Sequence, residues 1–240
     1  MDDNASKPVA APTDHKEMQR TAMFARSLAA LLLTALPTFA QPVTVAALGD
    51  SLTQGYGLPQ DEGLVPQLQA WLRARGAEVT LINAGVSGDT SAGGLSRVDW
   101  TLAPEVDGLI VALGGNDLLR GIDPEVTRAN LSGILGAARK AQVPALLVGL
   151  EAPPNYGGEY RTAFNAIYPE LGAAYDIPVI PSMLGAIAAA RDPLSLMQPD
   201  GIHPNARGVQ LVVQAIGPQV LEFVEALGAC EGPCRPASGS

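Results

Sequence analysis

The sequence predicts an α/β fold, a three-layer doubly wound sandwich with a parallel sheet of about five strands and helices on both faces. Two observations predict it. Short apolar runs alternate along the chain with longer segments of helical periodicity, as they do in parallel βαβ units. The run Leu109–Leu113 is also apolar at every position, as expected of a strand that is covered on both faces.

Five short apolar segments have the length of buried strands. They are Val43–Leu48, Val79–Ile82, Leu109–Leu113, Ala145–Leu150 and Pro178–Ile180. Four amphipathic segments between and after them are predicted to be helices. They are Leu64–Arg75, Pro124–Ala141, Tyr160–Tyr175 and Ala206–Leu227. Because no internal repeat or interdomain linker interrupts this alternation, a single domain is predicted over residues 41–228.

The first 40 residues predict an export signal that is separate from the domain. Arg26 precedes the apolar run Leu28–Pro37, and Ala40 is a small residue at the expected cleavage point before Gln41. The run is shorter than the roughly 20 apolar residues needed to span a bilayer. We therefore expect a periplasmic or secreted protein without a stable membrane anchor after cleavage. An amphipathic or buried N-terminal helix is the alternative interpretation.

The charge balance argues against one large class of function. The 240 residues carry 15 Lys and Arg against 24 Asp and Glu, which gives a formal net charge of −9. Nucleic acids are held by clusters of Lys and Arg that neutralise the phosphate backbone, so we expect no nucleic-acid partner. No long heptad pattern indicates an obligate oligomer, and a monomer is expected.

Histidine and cysteine are both scarce in this chain. His15 lies in the predicted signal, so His203 is the only histidine of the predicted mature protein. The only cysteines, Cys230 and Cys234, lie in the tail 229–240, where they could close a small loop in an oxidising compartment or remain free. A His-rich metal site is therefore impossible, and we expect neither a metal nor a cofactor.

In an open α/β sheet the functional site lies at the carboxyl ends of the strands, so polar functional residues are expected in the segments just after each strand. Gly49-Asp50-Ser51 follows the first predicted strand, where the serine hydroxyl could be exposed, although an ordinary turn or N-cap is the alternative. After the second strand, Gly88 would allow a ligand to approach its N–H closely, although a plain turn explains this glycine as well. Asn116, after the third strand, adds a side-chain amide donor.

A fourth polar segment near the C-terminus contains Asp200 and His203. In a turn or helix, their spacing of three brings the carboxylate toward the imidazole, where it can hold one tautomer and stabilise the imidazolium. A lone histidine is usually structural. Here, however, a candidate nucleophile, a base, an orienting carboxylate and two further donors all lie at the predicted strand ends of one sheet. Purely structural roles hardly explain that combination.

These segments resemble the conserved blocks of the GDSL esterases, the SGNH hydrolase superfamily. The resemblance extends over about residues 43–225 and is closest to the bacterial periplasmic acyl-CoA thioesterase I, lysophospholipase and arylesterase branch. Four segments carry it. They are Gly49-Asp50-Ser51-Leu52, Ser87-Gly88-Asp89-Thr90, Gly114-Gly115-Asn116-Asp117 and Asp200-Gly201-Ile202-His203-Pro204.

The resemblance implies a flavodoxin-like SGNH fold and a serine hydrolase that cleaves small acyl esters or thioesters through an acyl-enzyme. It implies that Ser51 is the nucleophile, His203 the base and Asp200 the carboxylate that orients the base. The implied oxyanion hole consists of the N–H groups of Ser51 and Gly88 and the side chain of Asn116. Two alternatives remain, a carbohydrate O-acetyl esterase and, from another class, a non-catalytic lipid- or glycan-binding module.

Overall fold

The computed structural model of the chain describes Met1 and residues 42–229. The predicted signal peptide with its cleavage point after Ala40, and the Cys230 and Cys234 pair, lie outside the described residues. Within residues 42–229, all five predicted strands and all four predicted helices are present, with ends within three residues of those expected.

The described part of the chain alternates strands and helices from start to end. The strands are β1 Val43–Gly49, β2 Val79–Gly85, β3 Gly108–Ala112, β4 Ala145–Val148 and β5 Val179–Ile180. The α-helices are α1 Ser51–Gln54, α2 Leu64–Arg73, α3 Ser91–Thr101, α4 Gly115–Leu119, α5 Pro124–Lys140, α6 Gly158–Tyr175, α7 Gly185–Ala188 and α8 Ala206–Gly228. Short 3₁₀ helices cover Gln60–Glu62, Pro154–Tyr156 and Pro193–Leu196.

The five strands form one parallel sheet in the order β2-β1-β3-β4-β5. Val45 of β1 lies opposite Leu81 of β2 on one side and Gly108 of β3 on the other. The direction of winding reverses between β1 and β3, which opens a crevice at the carboxyl ends of these two strands. The predicted doubly wound parallel sheet is therefore confirmed, and its strand order is that of flavodoxin-like folds.

Two apolar layers cover the sheet, one on each face. Successive side chains of a strand point to opposite faces. Val45 and Ala47 accordingly pack into a core with α2 and α8, whereas Ala46 and Leu48 pack into a second core with α3, α5 and α6. Both faces of β1 are thereby removed from water, and the three-layer architecture is confirmed.

Helix α3 is an element that the sequence periodicity did not predict. Gly93 and Gly94 lie near its start, and glycine inside a helix costs about 1 kcal/mol relative to alanine. The packing explains their presence, because a Cβ on Gly94 would collide with the side chain of Leu113. The helix is started by Thr90, whose hydroxyl accepts a hydrogen bond from the Gly93 N–H at 3.3 Å. Tertiary contact therefore outweighs local propensity here.

Helix α8 is the most apolar long helix of the described residues. Over an 18-residue window its mean hydropathy is 1.3, so by length and composition alone it could cross a membrane. Val212, Ile216 and Val220 point into the core shared with α2, however, and are almost entirely buried. Burial against the sheet accounts for the apolar composition of this helix.

Candidate active site

Ser51 lies where β1 ends and α1 begins, at the carboxyl edge of the sheet. The Asp50 carboxylate caps α1 by accepting a hydrogen bond from the Leu52 N–H at 3.0 Å, so the N-cap interpretation of this segment is correct. The tight turn also explains Gly49, because a Cβ there would collide with Thr53. This cap uses the Asp50 side chain and leaves the Ser51 hydroxyl free to contact His203.

The imidazole of His203 joins Ser51 to a carboxylate. Its Nε2 lies 2.8 Å from the Ser51 Oγ, and its Nδ1 lies 2.7 Å from Oδ2 of Asp200. A carboxylate at Nδ1 holds the proton on that nitrogen and leaves Nε2 free to accept the hydroxyl proton. The structure thus brings three of the residues singled out in the sequence into one hydrogen-bonded chain.

Backbone groups hold the Asp200 carboxylate in an ionised state. Its Oδ1 accepts hydrogen bonds from the N–H groups of Ile202 at 2.9 Å and His203 at 3.0 Å. The backbone hydrogen bond from His203, together with the contact to its ring, lowers the pKa of Asp200 to about 2. The turn that makes this geometry possible passes through Gly201, which has a φ of +67°.

The two further donors of the predicted oxyanion hole follow β2 and β3 at the same edge of the sheet. Gly88 has a φ of +83°, a conformation that favours glycine, and its carbonyl accepts a hydrogen bond from Arg120 at 2.8 Å. Asn116 lies at the start of α4, and its Nδ2 donates to Oδ2 of Asp50 at 3.4 Å. Asn116 therefore reaches the residue that directly precedes Ser51.

A buried carboxylate next to Asn116 fixes the loop after β3. Asp117 is completely buried and accepts hydrogen bonds from the N–H and the hydroxyl of Ser91 and from the hydroxyl of Thr127. These contacts connect α4 to α3 and α5. The individual role of Asp117 was not predicted, and the only sequence signal was its place directly after Asn116 in the Gly-Gly-Asn-Asp segment.

The ring of Tyr56 packs against the imidazole ring of His203. The two ring centroids are 4.6 Å apart at an interplanar angle of 37°. Gln198 ties the two loops together, because its Nε2 donates to the carbonyls of Tyr56 at 2.8 Å and Pro204 at 3.0 Å. Sequence reasoning missed both residues, since neither chemistry nor periodicity marks them.

A small apolar recess, open to solvent, adjoins the Ser51 and His203 pair. Its walls include Leu52, Leu58 and Met183. Within residues 42–229, no three His, Cys, Asp or Glu side chains lie close enough together to hold a metal ion. The side chains around Ser51 therefore offer acid–base groups, hydrogen-bond donors and an apolar surface.

A parallel α/β sheet with a hydroxyl, an imidazole and a carboxylate aligned at its strand ends has the geometry of a serine hydrolase. Comparison with known proteins agrees. Residues 47–211 match the GDSL-like Lipase/Acylhydrolase family. The chain is 36% identical to Esterase TesA of Pseudomonas aeruginosa over 189 residues, which are 78% of this chain and 92% of that protein.

Two further relatives have similar coverage. Thioesterase 1/protease 1/lysophospholipase L1 of Escherichia coli K12 is 34% identical over 182 residues, 75% of this chain and 85% of that protein. The crystal structure of AlinE4, an SGNH-hydrolase family esterase, has 42% sequence identity and a TM-score of 0.64, and the match covers 78% of this chain and 98% of that one.

The chain belongs to the GDSL-like lipase/acylhydrolase family. The resemblance stated from its sequence segments is thereby confirmed. The protein is an SGNH-type serine esterase or thioesterase, that is, a hydrolase of carboxylic esters in the broad sense.

The buried Asp50 carboxylate makes stability depend on pH. Burial raises the pKa of Asp50 from 3.8 to about 6, although the Leu52 N–H, the charge of His203 and the Asn116 amide all act to lower it. Between these two pH values the unfolded chain loses the Asp50 proton while the folded chain keeps it. This residue therefore makes the folded state less stable as pH rises toward 6, and its effect is constant above that pH.

We predict that Asp50→Asn becomes more stable relative to the wild type as pH rises from 4 to 7, by up to about 3 kcal/mol in free energy of unfolding. Asparagine has no charge to bury, and its side-chain oxygen can still accept the Leu52 N–H. Urea denaturation of both proteins at several pH values measures the difference, in which titrating groups that do not interact with Asp50 cancel. A difference that does not vary with pH would contradict the prediction.

Proposed function

We propose that the protein hydrolyses small carboxylic esters or thioesters through an acyl-enzyme on Ser51. The observation that carries this proposal is the unbroken chain of hydrogen bonds from Asp200 through His203 to Ser51, at 2.7 and 2.8 Å. The names of the relatives, esterase and thioesterase 1/lysophospholipase L1, support the same class of substrate.

In the proposed mechanism, His203 removes the proton of the Ser51 hydroxyl as the oxygen attacks the acyl carbon. Asp200, ionised and held by backbone N–H groups, stabilises the imidazolium that forms. His203 then gives the proton to the leaving alcohol or thiol. Water, activated by the same imidazole, attacks the acyl-enzyme and releases the acid.

The negative oxygen of each tetrahedral intermediate needs donors that are in place beforehand. We assign this role to the N–H groups of Ser51 and Gly88 and to the Asn116 amide. Removing one such donor typically lowers turnover by about 10² to 10³. The contact of Asn116 with Asp50 supports the assignment, because it holds the amide beside the turn that carries Ser51.

A carbohydrate O-acetyl esterase remains the second candidate enzyme, since it requires the same groups. The lipid- or glycan-binding module is less well supported. A binder has no need of an imidazole aligned on a serine hydroxyl or of a carboxylate held ionised behind it. We further infer that the active form is a monomer, exported by the N-terminal signal and without a nucleic-acid partner, as its net charge of −9 favours.

We predict that a fluorescent alkyl phosphonate labels the protein covalently and that Ser51→Ala abolishes the labelling. The phosphonate reacts only with a serine that a base activates. Ser195→Ala is the control, because Ser195 is an exposed serine of the same chain and should be dispensable. Equal labelling of the Ser51 variant, or none of the wild type, would favour the binding module.

A panel of substrates distinguishes the two enzyme candidates. We expect the highest kcat/KM on p-nitrophenyl acetate, longer acyl p-nitrophenyl esters or palmitoyl-CoA, since the recess beside Ser51 is largely apolar. Acetate release from acetylated xylan should be at least about tenfold less efficient, which corresponds to 1.4 kcal/mol of transition-state binding. A preference for acetylated xylan would replace the proposed activity with the O-acetyl esterase.

Export has its own test. When the whole chain is produced in a bacterium with a periplasm, we expect the mature protein in the periplasm or the medium, with Gln41 as its first residue. Arg26 and the apolar run behind it are the features of the sequence that an export machinery would recognise. Intact mass and N-terminal sequencing of the fractions measure this. A cytoplasmic protein that retains residues 1–40 would refute it.

A further inference from the structure

Arg97 of α3 forms hydrogen bonds to three separate segments at the edge of the sheet. Its Nε donates to Oδ2 of Asp89 at 2.7 Å, its Nη1 to the carbonyl of Ala84 at 2.7 Å and its Nη2 to the carbonyl of Gly49 at 2.9 Å. The side chain is only 23% exposed. Nothing in the mechanism above uses this guanidinium.

The partners of Arg97 flank the two backbone donors assigned to the oxyanion hole. Gly49 ends β1 two residues before Ser51, and Asp89 directly follows Gly88. The backbone joins the two segments beyond the strand pairing, because the Val86 N–H donates to the Gly49 carbonyl at 3.0 Å. Arg97 adds a side-chain connection between the end of β1 and the loop after β2.

The contacts require the shape of arginine and the absence of a side chain nearby. Only a planar guanidinium presents several N–H groups in a fixed fork, so a lysine could keep the ion pair with Asp89 but not both carbonyl contacts. The carboxylate of Asp89 in turn needs Gly93, because a Cβ there would lie 2.5 Å from its Oδ1. Both partners of the ion pair therefore have specific requirements: Arg97 needs the guanidinium group, and Asp89 needs a glycine at position 93.

We propose that Arg97 is a positioning residue that fixes the Gly88 loop to the end of β1 and so sets the distance between the N–H groups of Ser51 and Gly88. Because these two groups bind the same oxygen, a displacement of one loop weakens both hydrogen bonds in the transition state. Arg97 itself does not touch the substrate. The inference rests on the proposed acyl-enzyme mechanism.

The test compares Arg97→Lys with Arg128→Lys on p-nitrophenyl acetate. Arg128 is a matched control, since its side chain is 22% exposed and forms two ion pairs, one with Glu125 within α5 and one with Glu170 of α6. We expect Arg97→Lys to lower kcat by about 10- to 100-fold with KM changed less than about twofold, as for a misplaced transition-state contact. Arg128→Lys should keep the wild-type kcat.

Asp89→Asn supplies a second variant that keeps the carbonyl contacts and weakens only the ion pair. It should lower kcat less than Arg97→Lys does. Combining Arg97→Lys with Asn116→Ala should lower kcat by less than the product of the two separate factors, because both act on stabilisation of one oxygen. If Arg97 had only a structural role, the two factors by which kcat falls would multiply in the double variant, or the loss of kcat would parallel the drop in melting temperature.

Three results would overturn the inference. They are an unchanged kcat in Arg97→Lys, an increase of KM alone, and a loss of activity that Arg128→Lys shares at an equal drop in melting temperature. Phosphonate labelling of Ser51 separates this failure from failure of the proposed function. If wild-type Ser51 is labelled and Arg97→Lys is fully active, only the role of Arg97 is refuted, whereas an unlabelled Ser51 removes the mechanism itself.

Discussion

The hydrogen bond between Ser51 Oγ and His203 Nε2 is the contact on which the rest of the site depends. It joins residues 152 positions apart at a distance of 2.8 Å. The parallel winding makes it possible, because β1 is an interior strand between β2 and β3 and the loop with His203 leads directly into α8, which packs beside α2 over β1. The apolar core on that face therefore fixes the distance on which proton transfer depends.

Two buried carboxylates at the same edge show how differently a buried charge can be accommodated. Asp117 receives three hydrogen bonds from Ser91 and Thr127, whereas Asp50 receives one good bond from Leu52 and a long one from Asn116. Removal from water raises the pKa of Asp50 to about 6, because these two bonds compensate only part of the lost hydration. The turn that carries Ser51 thus holds an incompletely satisfied charge, whereas the loop that carries Asn116 is anchored firmly.

The sequence predicted those features of the fold and site that a single short segment determines. Apolar runs predicted every strand of the described residues, and the strand-end rule singled out Ser51, Asp200 and His203, which the structure joins by hydrogen bonds. Helix α3 was not predicted because Gly93 and Gly94 contradict local propensity. Their presence is explained only by tertiary neighbours, the Asp89 carboxylate at Gly93 and the Leu113 side chain at Gly94. The contacts of Arg97 were not predicted for a related reason. Its partners lie 8, 13 and 48 residues away and meet only after the chain has folded.

Tyr56 links the acid–base chemistry to the shape of the substrate recess. Its ring packs on one face of His203, and Tyr56 also lines the apolar recess beside Ser51. Gln198 holds the two loops together through backbone carbonyls, which are independent of the side chain at position 56. Any change of the loop that reshapes the recess therefore also acts on the face of the base. Tyr56 is thus the residue through which a change in the shape of the recess would reach the imidazole.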